Sequence, residues 1–320
     1  MPFISPVESL VQTNYERSPG GFPAFYLAES NAGVRGLIAK ADPKNLRRVQ
    51  KTPLRTKVAW DEARDIIHCI YWPRQTFSVG NHLPGPIPAN ESRRIQEYFS
   101  EIDVFAVGDE EKLDAAIANH VNSVRVGLWD ATSTALAWLP CHRVVHDVEW
   151  FEAGWMVCLA REHLFFRDVS AEMRASGGAD FPFHRETAER LLRPNSRETV
   201  TMLAVTSQGA WRIHSERGWA DGLLEHLHPA LREVPVVQLL NIVLLRGLNL
   251  APTDGSQERH VHVVNSTAEA VAKVRDGAQV AYLLNPIGSE ALAELVKQGQ
   301  MLPEKSVALN VSPYGMPDAD

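Results

Sequence analysis

Hydrophobic and polar positions follow the clearest pattern in the last third of the chain, where strand-like and helix-like segments alternate. Apolar residues in "RHVHVVN" (259–265) and the apolar run "QVAYLLNP" (279–286) predict strands. "STAEAVAKVRDG" (266–277) and "GSEALAELVKQG" (288–299) have apolar residues at helical spacing, a serine near the start and a glycine at the end. These features together predict a β-α-β-α segment.

Segments nearer the middle of the chain predict further strands and helices. "TVTMLAVTSQGAWRIHSE" (199–216) predicts two strands around a Ser-Gln-Gly turn, and "HRETAERLLR" (184–193) predicts a helix. The apolar stretch "VPVVQLLNIVLLRGLNL" (234–250) predicts a buried helix, because it contains polar residues and is too short to cross a bilayer. "SVRVGLW" (123–129) and "ALAWLPCHRVV" (135–145) predict strands.

Two segments are ambiguous between helix and strand. "VAWDEARDIIHCIYW" (58–72) has apolar residues at helical spacing, although its end is compatible with a strand. "EWFEAGWMVCLAREHLFF" (149–166) is interpreted as mostly helix. The pattern as a whole predicts an α/β or α+β fold with mixed β-sheets and helices.

The predicted domain organisation follows from composition. "ASGGAD" (175–180) is a glycine-containing break between two halves. The expected parts are a loosely structured N-terminus at 1–22, an N-terminal α/β half at 23–174, a C-terminal α/β half at 181–312 and a tail at 313–320.

Composition and charge exclude several classes of function. The 320 residues are 45% hydrophobic and 22% charged, as in a soluble globular protein. The net charge of −7 argues against sequence-independent nucleic-acid binding. Three cysteines without a CxxC pair, and a start without the pattern of a secretory signal, predict a cytoplasmic protein that does not enter a membrane.

The common catalytic signatures are missing from the sequence. GxxxxGKS or GxxxxGKT, GxGxxG, HExxH and GxSxG do not occur, so a phosphate-binding or dinucleotide-binding loop of the usual kind is not predicted. His142 and His146 are four residues apart, but Pro140 and the β-branched residues after His142 favour an extended segment. His260 and His262 share a face of a predicted strand, yet a metal needs further ligands, so no metal site is predicted.

The segment "LPCHRVV" (139–145) offers candidate polar chemistry. Cys141 is interpreted as a semi-buried strand cysteine rather than a nucleophile. His142 beside Arg143 forms a donor pair suited to a phosphate or a carboxylate. The alternative, in which Arg143 pairs with Asp147 or Glu149, is equally compatible with the sequence.

"NPIGSE" (285–290) and "MLPEKS" (301–306) are the second source of candidates. The first places a helix N-terminus, which attracts anions, directly after a strand, although an ordinary capping role is preferred for Ser289. In the second, Lys305 supplies a cation and Ser306 a hydroxyl. A catalytic role requires Lys305 to point into a pocket. In the alternative, Lys305 is exposed and the motif fixes the C-terminus to the sheet.

The same residues carry a resemblance to a known family. "AYLLNP" (281–286), the later set Gly299, Met301, Pro303, Lys305 and Ser306, and "LPCHR" (139–143) resemble motifs of the domain-of-unknown-function family ten-fifteen. The resemblance covers about residues 125–310. Because that family is distantly similar to ParB-like free serine kinases, it implies phosphoryl transfer to a small hydroxy amino acid, with Mg²⁺ and ATP, ADP or pyrophosphate.

The chain departs from the family where the chemistry is expected. "VGLWDATSTALAW" (126–138) stands in place of the family's DGHHRY motif, so Asp130 is the remaining candidate for the aspartate. "RRVQKTPLRTK" (47–57) stands where the family has a His-Glu pair. Since phosphoryl transfer depends on a group that orients the nucleophile, the scaffold is expected to be retained and the ancestral chemistry is not.

Two hypotheses follow. The first is a diverged small-molecule enzyme of a specialised biosynthetic pathway, acting on a small polar or anionic, amino-acid-like metabolite. Its catalytic candidates are His142 and Asp130, and its substrate-binding candidates are Arg143, Asn285, Ser289, Lys305 and Ser306. The second is a catalytically silent scaffold or regulator, acting through a protein partner or a second copy of the chain. The eight tryptophans suit either a ligand pocket or an interface.

Overall fold

A computed structural model of the protein describes residues 37–39, 60–61, 66–72, 104–106, 115, 124–131, 136–154, 157, 164–175, 185–251, 255–303 and 305–311. The chain divides into two compact units, Met1–Trp138 with Ala308–Asp320, and Leu139–Val307. The predicted break at 175–180 lies almost entirely outside the described residues, and the division into halves there stays a prediction.

The first unit contains a mixed sheet. Its strands are β1 (Leu37–Ala39), β2 (Trp60–Asp61), β3 (Ile66–Tyr71), β4 (Val104–Ala106) and β5 (Val124–Asp130). The order is β1-β5-β3-β2, with β4 also paired to β3. β3 and β5 run parallel, whereas the other pairs are antiparallel. A separate two-stranded sheet joins β6 (Leu136–Leu139) to β13 (Ala308–Val311).

One prediction for this unit is wrong in part. The segment 58–72 was predicted to have helical spacing with an end compatible with a strand; its end is the strand β3, whereas its start contains the strand β2 instead of a helix. The run "IIHCIY" in β3 is rich in β-branched and aromatic residues, which suit a pleated surface, and this preference outweighs the helical spacing.

The second unit is built on a six-stranded antiparallel sheet with the order β11-β7-β12-β9-β10-β8. Its strands are β7 (His142–Val145), β8 (Phe165–Asp168), β9 (Glu198–Val205), β10 (Ala210–Glu216), β11 (Val261–Val264) and β12 (Val280–Leu284). The predicted class, α+β with mixed sheets and helices, is confirmed. The segment 149–166 differs from its helical prediction at its end, because Phe165 and Phe166 begin β8.

The helices of this unit surround the sheet. They are α1 (Ser170–Ala175), α2 (Arg185–Leu192), α3 (Pro229–Arg232), α4 (Pro235–Gln238), α5 (Ser256–His260), α6 (Thr267–Arg275) and α7 (Ser289–Lys297). α4 continues as a π-helix, Leu239–Gly247, most of which is buried, as predicted for that apolar stretch. Within the described ranges, no helix is long and apolar enough to cross a membrane.

The predicted β-α-β-α segment is confirmed as β11, α6, β12 and α7. β7 lies between β11 and β12 and is antiparallel to both, so those two strands are parallel to each other. Ser266 caps α6 through its side chain, which accepts from the backbone N–H of Glu269. Gly277 and Gly299 follow α6 and α7 with positive φ, as helix-ending glycines do.

Two details of this segment correct the prediction. His260 is the last residue of α5 rather than part of a strand. Ser289 is the first helical residue of α7, and the capping position belongs to Gly288. The serine is therefore one residue too late to act as the ordinary cap.

Both faces of the central strands are covered. All five residues of β12 are buried. On one face of the sheet the core consists of Val144, Val169, Met173, Ala188, Leu191, Leu192, Leu203, Val205, Ala210, Val264, Ala270, Val274, Ala281 and Leu283. This core joins α1, α2 and α6 to the strands, which fixes the strand ends where the polar residues lie.

Candidate functional site

β7 sends its two polar residues to opposite faces of the sheet. Successive residues of a strand alternate, so His142 shares a face with Val144, whose partner in β12 is Ala281. Arg143 pairs with Tyr282 on the other face. The two side chains therefore do not form the compact donor pair that their adjacency in the sequence suggested.

His142 is buried, with 1% of its surface exposed, and both ring nitrogens are engaged. The backbone N–H of Leu284 donates to Nδ1 at 3.0 Å, so the proton lies on Nε2, which donates to Thr267 Oγ1 at 2.9 Å. Burial, with a smaller contribution from the charge of Arg143, lowers the pKa of His142 to about 4. This neutral imidazole joins β7 to β12 and α6, which favours a positioning role; its catalytic assignment stays a prediction.

Arg143 is also buried, with 2% exposed. Its guanidinium donates to the carbonyl oxygen of Cys141 at 2.9 Å and to that of Lys305 at 3.1 Å. Burial lowers the pKa of Arg143 to about 10, and its interaction with Cys141 opposes this change. The side chain remains a cation whose hydrogen bonds fix the backbone of the "MLPEKS" turn.

The Lys305 turn is held on both sides while its side chain is exposed. Lys305 has φ of 55°, in the left-handed region, and its carbonyl accepts from Arg143. The hydroxyl of the buried Ser306 donates to the carbonyl of Pro303 at 2.5 Å. Leu302 and Val307 are buried. The turn thus places an exposed ammonium on a fixed backbone. This agrees with the alternative in which Lys305 is exposed, and not with the one in which it points into a pocket.

Asn265 is a member of this group that sequence reasoning missed. Its side-chain amide donates to the carbonyl of Pro140 at 2.9 Å and to Cys141 Sγ at 3.3 Å. Cys141 itself is buried, in agreement with a structural cysteine next to a strand. The available signal was the position of Asn265 directly after a predicted strand and before a capped helix.

The other predicted residues lie elsewhere. Asn285 donates from Nδ2 to the carbonyl of Leu192 at 2.8 Å and so ties the end of β12 to the end of α2. Ser289 is half-buried at the start of α7. Asp130 ends β5 in the first unit, and its side chain lies outside the described residues. Binding roles for Asn285 and Ser289 and a catalytic role for Asp130 stay predictions.

A second buried polar group, not found from the sequence, lies on β9 and β10. Arg212 donates from Nη1 to Glu198 Oε1 at 2.7 Å and from Nη2 to Glu198 Oε2 at 2.5 Å. It also donates from Nε to the carbonyl of Leu191 at the end of α2. The bonds from Arg212 hold the pKa of Glu198 at about 2. This ion pair attaches α2 to the sheet.

A groove of about 670 Å³ lies on the same unit. Its lining includes Asp168, Glu172 and Trp211. Asp168 already accepts the backbone N–H of Ser170, and Glu172 accepts from Arg167 at 2.5 Å. The carboxylates of Asp168 and Glu172 thus stabilise the local structure of the groove. Across the part of the chain that the structure describes, no group of three His, Cys, Asp or Glu side chains is placed to hold a metal ion.

Comparisons with known proteins give little further information. No family model matches the chain, and no curated protein matches it, so the family resemblance stays a prediction. Similar solved structures include a conserved hypothetical protein from Pyrococcus furiosus, at 11% identity over 65% of this chain and 71% of that chain, with a TM-score of 0.36. A free serine kinase in complex with AMP is 12% identical over 65% of this chain and 68% of that chain, with a TM-score of 0.36.

A further free serine kinase structure, a mutant in complex with AMP, aligns over more of the chain. The alignment covers 82% of this chain and 92% of that chain, at 11% identity and a TM-score of 0.36. Similarity at this level does not transfer a fold or an activity.

Proposed function

We propose that the second unit binds a small polar or anionic, amino-acid-like metabolite at the Lys305 turn, and that the protein is a diverged small-molecule enzyme. The observation that supports this proposal is the conformation of Lys305. A lysine in the left-handed region is uncommon and carries a cost of about 1–2 kcal/mol. Such a conformation persists where the surrounding structure fixes it, and it is concentrated at functional sites.

The surroundings of Lys305 fix its left-handed backbone conformation at a cost in free energy. Arg143 is buried in the sheet and donates to the Lys305 carbonyl, although burying a guanidinium is unfavourable. The hydrogen bond of Ser306 closes the other side of the turn. Because the exposed side chain of this turn ends in an ammonium, the ligand group that suits it is a carboxylate or a phosphate.

The family-implied version of this function is phosphotransfer to a hydroxy amino acid, with Mg²⁺ and ATP, ADP or pyrophosphate. In the second unit the anion anchor would be Lys305; Asp130, in the first unit, stays a candidate base from the sequence alone. The described residues provide no grouped metal ligands. A different reaction on the same ligand class is equally compatible with the site.

A thermal-shift screen tests the proposal. The compounds are serine and other amino acids, phosphate, pyrophosphate, ATP and ADP, each with and without Mg²⁺. A ligand at about one hundred times its dissociation constant adds roughly 2.7 kcal/mol of stability, which is a measurable shift. We expect Lys305→Gln to remove the shift.

The matched control is Lys297→Gln, which removes an exposed lysine from α7. This variant should keep the full shift. A ligand whose shift is the same in wild type and Lys305→Gln would contradict the proposed site. If the shift requires both a nucleotide and Mg²⁺, the phosphotransfer version is favoured; if amino acids act alone, it is not.

One observation favours the second candidate, a scaffold that works through a partner. Trp150 is 96% exposed and has φ of 57°, and Trp219 is also exposed. Exposed tryptophans are typical anchors of interfaces. Sedimentation of wild type and Trp150→Ala over a range of concentrations tests this candidate for self-association: a concentration-dependent species that Trp150→Ala loses would favour it.

A further inference from the structure

Three imidazoles meet at the edge of the sheet formed by β11. The ring of His146 lies 4.1 Å from that of His262 and 6.5 Å from that of His260, measured between ring centroids. The backbone holds them together, because His146 N–H donates to the carbonyl of His260 at 3.0 Å and His260 Nδ1 donates to the carbonyl of His146 at 3.1 Å. The geometry therefore does not depend on the side chains alone.

His146 has one engaged ring nitrogen and one that is not. Nδ1 lies 2.7 Å from Asp147 Oδ2. Nε2 is buried and has no hydrogen-bond partner among the described residues. A buried polar atom without a protein partner marks this imidazole as a candidate for ligand binding.

The charged groups around His262 come from several elements. They are Lys273 on α6, Lys305 in its turn, Asp147 in the loop after β7, and His146 itself. Burial, followed by the charges of His146 and Lys273 and then by that of Lys305, lowers the pKa of His262, whereas Asp147 raises it. His262 is nevertheless exposed, so a ligand can reach it.

The balance of charge in this group depends on protonation. Lys273 lies 3.8 Å from Glu269, and Asp147 lies beside His146. While His262 is neutral, the two lysines are balanced by the two carboxylates. A proton on His262 adds a positive charge that none of these carboxylates neutralises.

We infer that His262 and His146, together with Lys273 and Lys305, form a proton-linked binding surface for a multiply charged anion such as a phosphoryl group. This inference rests on the proposed function, because Lys305 belongs to both. It adds a ligand class, a doubly charged oxyanion, and a regulation, tighter binding at lower pH. An anion at this surface offsets the repulsion between protonated His262 and the two lysines.

The direction of the pH effect follows from linkage. A bound anion favours the protonated form of His262, so the pKa of this group is higher in the complex than in the free protein. Binding therefore takes up a proton. Affinity is lowest above the pKa of the complex, rises as pH falls toward the pKa of the free protein, and is constant below it. For one proton the rise is at most about tenfold per pH unit.

Sulfate is the probe for this test, because its charge stays constant over the range in which imidazoles titrate. Titration calorimetry of the full chain is carried out at about pH 8, 7 and 6, at constant ionic strength, in two buffers with different ionisation enthalpies. The variants are His262→Asn and, as a matched control, His226→Asn, which changes an exposed histidine in another loop. Unchanged thermal unfolding of both variants verifies their folding.

We expect the wild type and His226→Asn to bind sulfate more tightly at about pH 6 than at about pH 8, by at most about tenfold per pH unit, with proton uptake. His262→Asn should lose both the pH dependence and the uptake. The same pH slope in His262→Asn, or a pH-independent wild type, would overturn the inference.

Lys305→Gln separates this inference from the proposed function. If sulfate binds independently of pH but requires Lys305, the proton-linked surface is refuted and the Lys305 site stands. If pH-dependent sulfate binding survives Lys305→Gln, the role of Lys305 is refuted both in the proton-linked surface and in the proposed function. If the wild type does not bind sulfate at any pH, the inference is refuted, and the thermal-shift screen decides the proposed function separately.

Discussion

Glu198→Gln should destabilise the second unit by about 3 kcal/mol at neutral pH. Glu198 and Arg212 form a bidentate ion pair between β9 and β10, and the side chain of Glu198 is 2% exposed. The pKa of the Glu198 carboxyl falls from its ordinary value of 4.5 to about 2 because of Arg212. At about 1.36 kcal/mol for each unit of pKa, this difference in pKa corresponds to about 3 kcal/mol. Breaking a buried ion pair costs about 3–5 kcal/mol in other proteins.

The sign of the pH dependence is fixed by the lowered pKa. The stabilisation is fully present above about pH 4.5 and is lost as pH falls toward about 2, because unfolding then takes up a proton. The Glu198→Gln variant lacks this carboxyl, so its stability should not fall through protonation at this position as pH decreases from about 4.5 to about 2. The difference between the two proteins should therefore shrink as pH falls through that range.

Hydrogen exchange of peptides that cover β9 and β10 measures this effect within the second unit. Glu186→Gln is the matched control, because Glu186 is an exposed glutamate in the first turn of α2. Its protection should equal that of the wild type. A Glu198→Gln protein within about 1 kcal/mol of the wild type at neutral pH, or a difference that does not change with pH, would refute the role given to the ion pair.

Two further predictions concern β7 and the Lys305 turn. His142→Gln should reduce stability near neutral pH. It should also remove the acid sensitivity due to the lowered pKa of His142, which in the wild type costs up to about 3 kcal/mol as pH falls from 6.5 to about 4; denaturant unfolding at several pH values measures both. Lys305→Gly should stabilise the folded protein by up to about 1 kcal/mol, because glycine adopts the left-handed conformation without strain. The same change should abolish ligand-induced thermal shifts.

Each of these two predictions has its own control. For the histidine, the exposed His226 can be changed to glutamine, and an equal change in acid sensitivity would show that burial of His142 is not the cause. For the lysine, Lys305→Gln removes the charge and keeps the strain. Equal stabilities of the glycine and glutamine variants would contradict the cost assigned to the turn.

Local patterns predicted much of the second unit. The alternation of "RHVHVVN", "STAEAVAKVRDG" and "QVAYLLNP" gave the strands and helix observed there, because capping residues and periodicity act within a few positions. The errors arose where two local preferences compete. In "RHVHVVN" a short helix ends at His260 before the strand begins. At the start of the segment 58–72, the strand β2 stands where the spacing was helical.

Contacts between distant residues could not be obtained in this way. The bond from Arg143 to the Lys305 carbonyl spans 162 positions, and that from His142 to Thr267 spans 125. Adjacency was also misleading, because strand alternation separates His142 from Arg143. The sequence singled out both residues, but the sheet register decides what each of them touches.

Titration calorimetry with the compound that gives the largest thermal shift tests the central claim most directly. The proteins are the wild type, Lys305→Gln and Lys297→Gln. If the Lys305 turn anchors the ligand, its affinity should fall by about tenfold or more in Lys305→Gln, as expected for the loss of one charge-assisted hydrogen bond, and should be unchanged in Lys297→Gln. Equal affinities in all three proteins would contradict the claim that this turn is a binding site.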